Sequence, residues 1–276
     1  MELRKENKIL KYILITISVI FLGVFLILPL IYIVVTALRD GIAGYINGVS
    51  DEYAIKAALL TIQATLWAVI VNTIFGITAA WLITKYSFKG KKMLSTFIDL
   101  PVTVSPIIAG LIYVLTFGRQ SILYPILDSY GIQIIFAVPG IVLATIFVTF
   151  PFISRELIPV LTAQGTDEEE AAAIMGASTF TIFRKVTFPH IKWALLYGIV
   201  LCTARAMGEF GAVSVLSGHL RGKTNTLPLY IELLYQGYDF TGAFAASSIL
   251  VVLAIIVLIL RLVIEKRGQK ELDMNK

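Results

Sequence analysis

The sequence predicts an all-α integral membrane protein with six transmembrane helices in a single domain. Of its 276 residues, 58% are hydrophobic and only 15% are charged, whereas soluble domains have about 45–50% apolar and about 25% charged residues. The mean hydropathy is +0.86. Several apolar runs also reach the roughly 20 residues that a helix needs to cross a hydrocarbon core. We therefore expect the apolar excess to face membrane lipid.

Six apolar windows predict the transmembrane helices, and several of them contain proline. Membrane bundles tolerate proline because neighbouring helices satisfy the carbonyls that it frees. The first window follows a basic N-terminal segment, as in a signal peptide, but it is too long for one and is interpreted as an uncleaved span. The predicted spans cover residues 13–38, 54–84, 96–117, 138–153, 193–216 and 241–264.

The distribution of basic residues predicts the orientation of these spans. Seventeen of the 23 Lys and Arg residues lie on the side of the N-terminus, and five lie on the opposite side. Cytoplasmic loops carry the excess of Lys and Arg in membrane proteins. Both termini are therefore expected in the cytoplasm. The net charge of +5 has the same explanation, so no nucleic-acid partner is inferred.

Cysteine and histidine usage argues against metal chemistry. Cys202 is the single cysteine and lies within an apolar run, where we expect it to act only in packing. His190 and His219 are far apart in the sequence. The sequence therefore predicts no metal site.

The polar connection between the fourth and fifth spans predicts two short helices, over residues 166–188. Thr166 and Glu169 have the spacing of a capping box, and the acidic residues 167–170 suit the first turn of a helix. Gly176 suits the left-handed position after a helix. Ser178 is expected to cap a second short helix that Pro189 stops.

This connection resembles the EAA motif of permeases from ATP-binding-cassette importers, with Val186 and Phe188 at positions where the motif usually has Ile and Leu. The resemblance implies a type I importer permease whose coupling helices dock in a groove on an ATPase subunit. The alternative is a surface helix pair without a partner. The residues to which the resemblance assigns ATPase coupling are Glu170, Ala171, Ala172, Gly176, Ala177 and Pro189.

The fifth predicted span contains Arg205 and Glu209, four residues apart on one helical face. Charges inside a membrane normally face the bundle interior or a wet cavity. One interpretation places both residues, with Ser214 and Ser217, along a translocation pathway. The other is a structural ion pair that sets the helix register.

The loop after this span combines two permanent cations with hydroxyl and amide donors, which suits a brief encounter with a tetrahedral anion. An ordinary solvated loop is the alternative. The triplet 222–224 is not a P-loop, because that motif needs glycine where this chain has Ser217. The residues predicted at this outer mouth are His219, Arg221, Lys223, Thr224 and Asn225.

Three segments, at residues 99–111, 147–159 and 205–228, closely resemble permease subunits of sulfate/thiosulfate importers, of the W type that pairs with a second, different permease. The similarity covers nearly the whole chain and is weakest before about residue 50. Molybdate and tungstate permeases share the core 205–211, so a molybdate or tungstate importer, expected as a homodimer, is the alternative. A polytopic membrane enzyme is disfavoured, because it would need a cluster of acid/base or metal-ligating residues within the membrane, and the nearest feature in the spans is the Arg205 and Glu209 pair.

The resemblance implies a complex in the inner membrane: two permease chains, two ATPase subunits and an external sulfate-binding protein. The ATPase subunits would bind ATP and magnesium, so this chain needs no cofactor of its own. Transport would proceed by alternating access. Membrane lipid would surround the spans.

Overall fold

A computed structural model describes the backbone of residues 8–274 and the side chains of residues 9–268. Over this range the chain is helical without strands, which confirms the predicted all-α membrane class. Arg4, Lys5 and Lys276, and the side chains of Lys8 and Lys270, on which the orientation prediction partly depends, lie outside these described ranges. Five helices are long and apolar enough to cross a membrane, and a bent pair adds a sixth span. The five are Ile9–Ala37, Glu52–Lys85, Val138–Gln164, Thr179–Met207 and Phe240–Gly268.

The first span consists of three consecutive helical segments. They are α1 (Lys8–Leu22), a π turn (Gly23–Ile27) and α2 (Leu28–Ala37). A proline clashes with the carbonyl four residues earlier, and the π turn widens the helix immediately before Pro29, so that the Leu28 N–H donates to the Gly23 carbonyl. The helix can therefore continue through the proline. Of this span, α2 packs against the last helix of the chain.

The next segments are α3 (Gly41–Ser50), α4 (Glu52–Lys85), α5 (Lys91–Thr103), α6 (Pro106–Phe117) and α7 (Tyr124–Ser129). The prediction of one continuous span over 96–117 was wrong, because α5 and α6 meet at an angle of 108°. Val104 and Ser105 between them are extended. A proline disfavours helical geometry in the residue before it, which explains the break ahead of Pro106.

The rest of the chain forms α8 (Val138–Thr149), α9 (Pro151–Gln164), α10 (Asp167–Ile174), α11 (Thr179–Ile182), a second π turn (Phe183–Thr187), α12 (Phe188–Met207), α13 (Gly211–Leu216), α14 (Leu227–Gln236) and α15 (Phe240–Met274). Helices α8 and α9 extend the fourth predicted span well beyond residue 153. The fifth predicted span, 193–216, is interrupted after Met207.

Pro189 does not stop the second short helix as predicted. The chain is helical from Thr179 to Met207. The second π turn absorbs this proline as the first absorbs Pro29, with the Phe188 N–H donating to the Phe183 carbonyl. The two short predicted helices are therefore one free-standing helix, α10, and one helical extension of α12.

Glycine allows the membrane helices to approach closely. A methyl group at Gly76 would lie 2.7 Å from the side chain of Ile153, and one at Gly110 would lie 2.8 Å from the carbonyl of Ala212. Small residues at helix contacts are typical of membrane bundles. They bring α4 against α9 and α6 against α13. Cys202 is fully buried in this packing, as expected.

Candidate functional site

The helical hairpin between α9 and α12 turns at Gly176, as the sequence predicts. Gly176 has a φ of 84°. Its N–H donates to the Ala173 carbonyl at 2.9 Å, and the Ala177 N–H donates to the Ala172 carbonyl at 3.1 Å. These two bonds form a Schellman motif. Ser178 then caps α11 by accepting the Thr181 N–H. The hairpin angle is therefore set by backbone hydrogen bonds at a left-handed glycine.

The predicted capping box does not form, because Glu169 is engaged elsewhere. Thr166 occupies the N-cap position without a side-chain bond. The Glu169 carboxylate instead accepts the Thr187 hydroxyl at 2.6 Å and lies 3.2 Å from the Lys85 ammonium. Lys85 also donates to the Gly165 carbonyl. The side chains of Lys85 and Glu169 are only 5% and 13% exposed. A buried ion pair thus connects α10 to α4 and to the second π turn.

The opposite surface of the hairpin is apolar and exposed. Ile174, Met175 and Phe180 are 87%, 82% and 72% exposed. We name these three residues the apolar tip. Their role was not predicted from the sequence, although large apolar residues on both sides of Gly176 were the available signal. Single exposed apolar residues are ordinary, but a contiguous apolar patch marks an interaction surface.

The six residues predicted to couple to an ATPase divide between two surfaces. Glu170, Ala171 and Pro189 are exposed, whereas Ala172 is buried against the chain's own helices. Gly176 is exposed at the turn and Ala177 is half-buried. The hairpin therefore presents Glu170 and Ala171 together with the apolar tip, while Ala172 holds α10 in place.

Arg205 and Glu209 form an ion pair where α12 ends. Arg205 Nη1 lies 2.6 Å from Glu209 Oε2, and the other carboxylate oxygen of Glu209 accepts the Ala212 N–H at 2.8 Å. Glu209 is buried and Arg205 is partly exposed. This geometry gives Glu209 the structural role of capping α13 across the break, and leaves part of the Arg205 guanidinium accessible. Ser214 is half-buried and donates to the Gly211 carbonyl, and Ser217 is fully buried.

The 217–226 loop lies at the end of the bundle opposite to the hairpin. His219, Arg221 and Lys223 are exposed, as predicted for an outer mouth. Thr224 and Asn225 are buried, so the prediction that they offer donors at the surface was wrong. Folding the loop onto α4 hides them: Thr224 accepts the Leu220 N–H, and nearby Gly222 lies against the Tyr53 ring.

A buried polar group in this loop is unpaired. Neither the Oδ1 nor the Nδ2 atom of Asn225 has a hydrogen-bond partner within the described part of the chain, and the same holds for the Thr226 hydroxyl. By contrast, Thr61 of α4 accepts the N–H of Leu227 at 2.7 Å. The backbone N–H of Leu227, directly after the loop, thus holds the chain to α4. The side-chain amide of Asn225 is buried without a hydrogen-bond partner among the described residues.

An acidic cavity of about 490 Å³ lies near this loop and was not predicted. Asp40, Asp51 and Asp239 line it together with Arg221 and Tyr230. The Tyr230 hydroxyl donates to Asp51 at 2.7 Å. Burial and this bond to a carboxylate raise the pKa of Tyr230. Among the described residues, no group of three or more His, Cys, Asp and Glu is arranged to hold a metal ion.

Arg261 lies near the end of the last predicted span, 241–264. Its guanidinium lies 5.2 Å from the centre of the Tyr197 ring, and the residue lines an apolar cavity of about 410 Å³ between α12 and α15. Stacking on an aromatic face stabilises a cation in a low-polarity surrounding. Arg261 is therefore part of the helix packing.

Comparisons with known proteins agree on one family. The family model described as "Binding-protein-dependent transport system inner membrane component" matches residues 72–270. The sulfate transport system permease protein CysW of Escherichia coli K12 is 47% identical over 95% of this chain and 92% of its own length. The protein of the same name from Synechococcus elongatus is 46% identical over 97% and 94%. Sulfate permease 2, chloroplastic, of Chlamydomonas reinhardtii is 41% identical over 89% and 67%.

Two solved structures share the fold. A bacterial ABC transporter that imports the acidic polysaccharide alginate aligns with a TM-score of 0.78 and 19% identity, over 96% of both chains. A bacterial alginate ABC transporter in complex with its alginate pentasaccharide-bound periplasmic protein aligns with a TM-score of 0.79 and 18% identity, again over 96% of both chains. At this identity the similarity concerns the fold alone.

Proposed function

Because the chain belongs to the family of binding-protein-dependent transport system inner membrane components, we propose that it is the permease subunit of an ATP-driven sulfate importer. The observation that carries the proposal is the 46–47% identity to sulfate transport permeases over almost the full chain. Those names favour sulfate over the molybdate or tungstate alternative. Thiosulfate, an anion of the same shape and charge, is proposed as a second cargo. The subunit is a multi-pass membrane protein and not an enzyme.

The hairpin is proposed to dock on an ATPase subunit. The exposed apolar tip supports this role, because an amphipathic helix presents its apolar side chains to a hydrophobic groove. Glu170 and Ala171 lie on exposed positions of the same helix. ATP and magnesium would be bound by that partner. Docking would move the hairpin as a rigid body whenever the ATPase pair closes.

The remaining partners are proposed from the resemblance and from the distribution of charge. A second, different permease chain would complete the translocation pathway, and an external sulfate-binding protein would deliver the anion. The excess of basic residues on the hairpin side supports an orientation with both termini in the cytoplasm. The exposed cations Arg221 and Lys223, with the exposed His219 beside them, would then face the delivered anion.

Transport is proposed to occur by alternating access, with the break after α12 as a participating element. Helix α12 runs from the hairpin to Arg205, and Glu209 starts α13 beyond the break. A movement of α12 would therefore move α13 and the 217–226 loop. The accessible part of the Arg205 guanidinium is the cationic group in this span that an anion could meet.

The test is uptake of radiolabelled sulfate by cells with and without this chain. We expect deletion to abolish uptake, the restored wild-type chain to recover it, and unlabelled thiosulfate but not molybdate to compete. Unchanged sulfate uptake together with lost molybdate uptake would contradict the proposed cargo. Unchanged uptake of both anions would contradict the importer assignment itself.

A further inference from the structure

Four residues from three segments meet at the base of the hairpin. The Lys85 ammonium, at the end of α4, contacts the Gly165 carbonyl and lies 3.2 Å from Glu169 Oε1 of α10. The hydroxyl of Thr187, at the end of the second π turn, donates to the same carboxylate oxygen at 2.6 Å. We name Lys85, Gly165, Glu169 and Thr187 the Lys85 joint.

The ion pair in the Lys85 joint is largely buried and hydrogen-bonded, unlike an ordinary exposed ion pair. A buried charge is tolerated only when it is paired and hydrogen-bonded, and here each charge has both an opposite charge and a neutral hydrogen-bond partner. Another ion pair among the described residues, between Arg155 and Asp99, has both side chains nearly half exposed. Exposed pairs of that kind contribute little.

Helix α10 has few other attachments. It is eight residues long, and Ala172 is its single buried residue. Its other side chains cannot hold it by apolar packing. Two polar side-chain contacts link α10 to the membrane helices: Glu169 in the Lys85 joint, and Glu168, whose carboxylate lies 3.5 Å from the ring of His190 in α12. Both partners of the second contact are about half exposed, so the connection through Glu169 is the more enclosed of the two. The π turn, by contrast, is also packed through Phe183, whose ring lies 5.3 Å from that of Trp81.

The two helices joined at this point both run towards the other end of the molecule, and α4 reaches the 217–226 loop there. Helix α4 runs over 34 residues from Lys85 to Glu52, where Tyr53 lies against Gly222. Helix α12 runs from Thr187 to the ion pair of Arg205 and Glu209. The Glu169 carboxylate is thus a point at which α10 contacts both the end of α4 and the residue that precedes α12.

We propose that Glu169, held by Lys85 and Thr187, is the positioning residue that couples movement of the docked hairpin to α4 and α12. It acts through the joint and not by contacting the ATPase, since its carboxylate faces inward. Loss of the joint leaves docking intact and separates ATP hydrolysis from transport. This inference rests on the proposed function.

The decisive variant is the double substitution Lys85→Met with Glu169→Gln, in the complete transporter reconstituted in liposomes. Removing one charge alone strands the other in a buried site and endangers folding, whereas removing both avoids that penalty. We expect the ATPase to co-purify as with wild type and to hydrolyse ATP. Sulfate transported per ATP hydrolysed should fall several-fold or more below the wild-type ratio.

A pair of milder variants and a matched control sharpen the test. Thr187→Val removes the hydroxyl and should lower the transport-to-hydrolysis ratio, whereas Thr187→Ser keeps the hydroxyl and should restore it. The control, Asp99→Asn with Arg155→Gln, removes an exposed ion pair on the same side and should leave the ratio unchanged.

Two results would overturn the proposal. An unchanged ratio in the Lys85→Met, Glu169→Gln transporter would show that the joint does not couple. Loss of ATPase binding in that variant, with binding retained in the control, would make the joint a docking determinant. A wild-type chain that binds no ATPase would instead overturn the proposed function, and the joint's role with it.

Discussion

The hairpin and the 217–226 loop are both short connections at opposite ends of α4 and α12, yet their polar groups are treated in opposite ways. In the hairpin, the buried charges of Lys85 and Glu169 are paired and hydrogen-bonded. In the loop, the amide of buried Asn225 has no hydrogen-bond partner within the described residues. The hairpin also exposes Met175 and its large apolar neighbours Ile174 and Phe180.

This difference indicates which of the two segments, the hairpin or the 217–226 loop, is the more rigid. A satisfied buried network makes a segment rigid, whereas a buried polar group without a partner costs about 1–3 kcal/mol. The hairpin is built to hold one conformation and to be covered by a partner. The loop lacks such a network around Asn225, so it is the end that we expect to rearrange.

The largest expected effect is on hairpin geometry. Gly176→Pro requires a φ near −65° where the hairpin has 84°, at a cost of about 3 kcal/mol or more. We expect normal membrane insertion and loss of ATPase co-purification. Gly176→Asn, which tolerates the left-handed region, is the matched control and should retain the ATPase. Co-purification with the proline variant would contradict the role of the turn.

Glu170→Lys, which places a positive charge in the first turn of α10, should also remove ATPase association.

The second effect concerns the apolar tip. Met175→Asp with Phe180→Asp should weaken ATPase association by about 2 kcal/mol or more, as for central interface residues, measured as the concentration of ATPase needed to saturate the purified permease. Ile122→Asp changes a side chain that is 93% exposed but lies outside the hairpin, and should have no effect. Equal weakening by both variants would show that the tip is not a specific docking surface.

The third effect has opposite signs at neighbouring loop positions. Asn225→Leu replaces the unpaired amide with an apolar group of similar shape and should raise stability by about 1–3 kcal/mol. Thr224→Val removes the acceptor of the Leu220 N–H and should lower stability by about 1 kcal/mol. Thermal unfolding of the detergent-purified protein measures both. A destabilised Asn225→Leu protein would mean that the amide is paired after all.

The smallest effect is expected from the exposed ion pair near the hairpin. A double-mutant cycle with Arg155→Gln and Asp99→Asn should give a coupling free energy of about 0.2–1 kcal/mol in thermal unfolding. The same cycle with Lys85→Met and Glu169→Gln should give a clearly larger value, because those groups are buried. Equal coupling free energies in the two cycles would show that the pair in the Lys85 joint contributes no more than an exposed ion pair.

Structural features that depend only on residues close in the sequence could be predicted from the sequence alone. Length and hydropathy predicted the approximate positions of the spans. Gly176 predicted the left-handed turn, and Ser178 predicted the start of α11. The break before Pro106 was also readable, because proline restricts the preceding residue, but the apolar run concealed it. The EAA-like pattern located the hairpin without showing which of its faces is exposed.

The pairing of polar groups that are far apart in the sequence depends on how the helices pack in the tertiary structure. Glu169 has the spacing of a capping box, but a lysine from another helix offers its carboxylate a stronger partner, and Lys85 and Gly165 are 80 residues apart. Thr224 and Asn225 read as loop donors, yet packing on α4 buries them. Backbone conformation and hydropathy are local properties of a chain, whereas the burial and partner of a polar side chain depend on which helices meet. The sequence therefore specified the helices, and their packing selected which charges connect them.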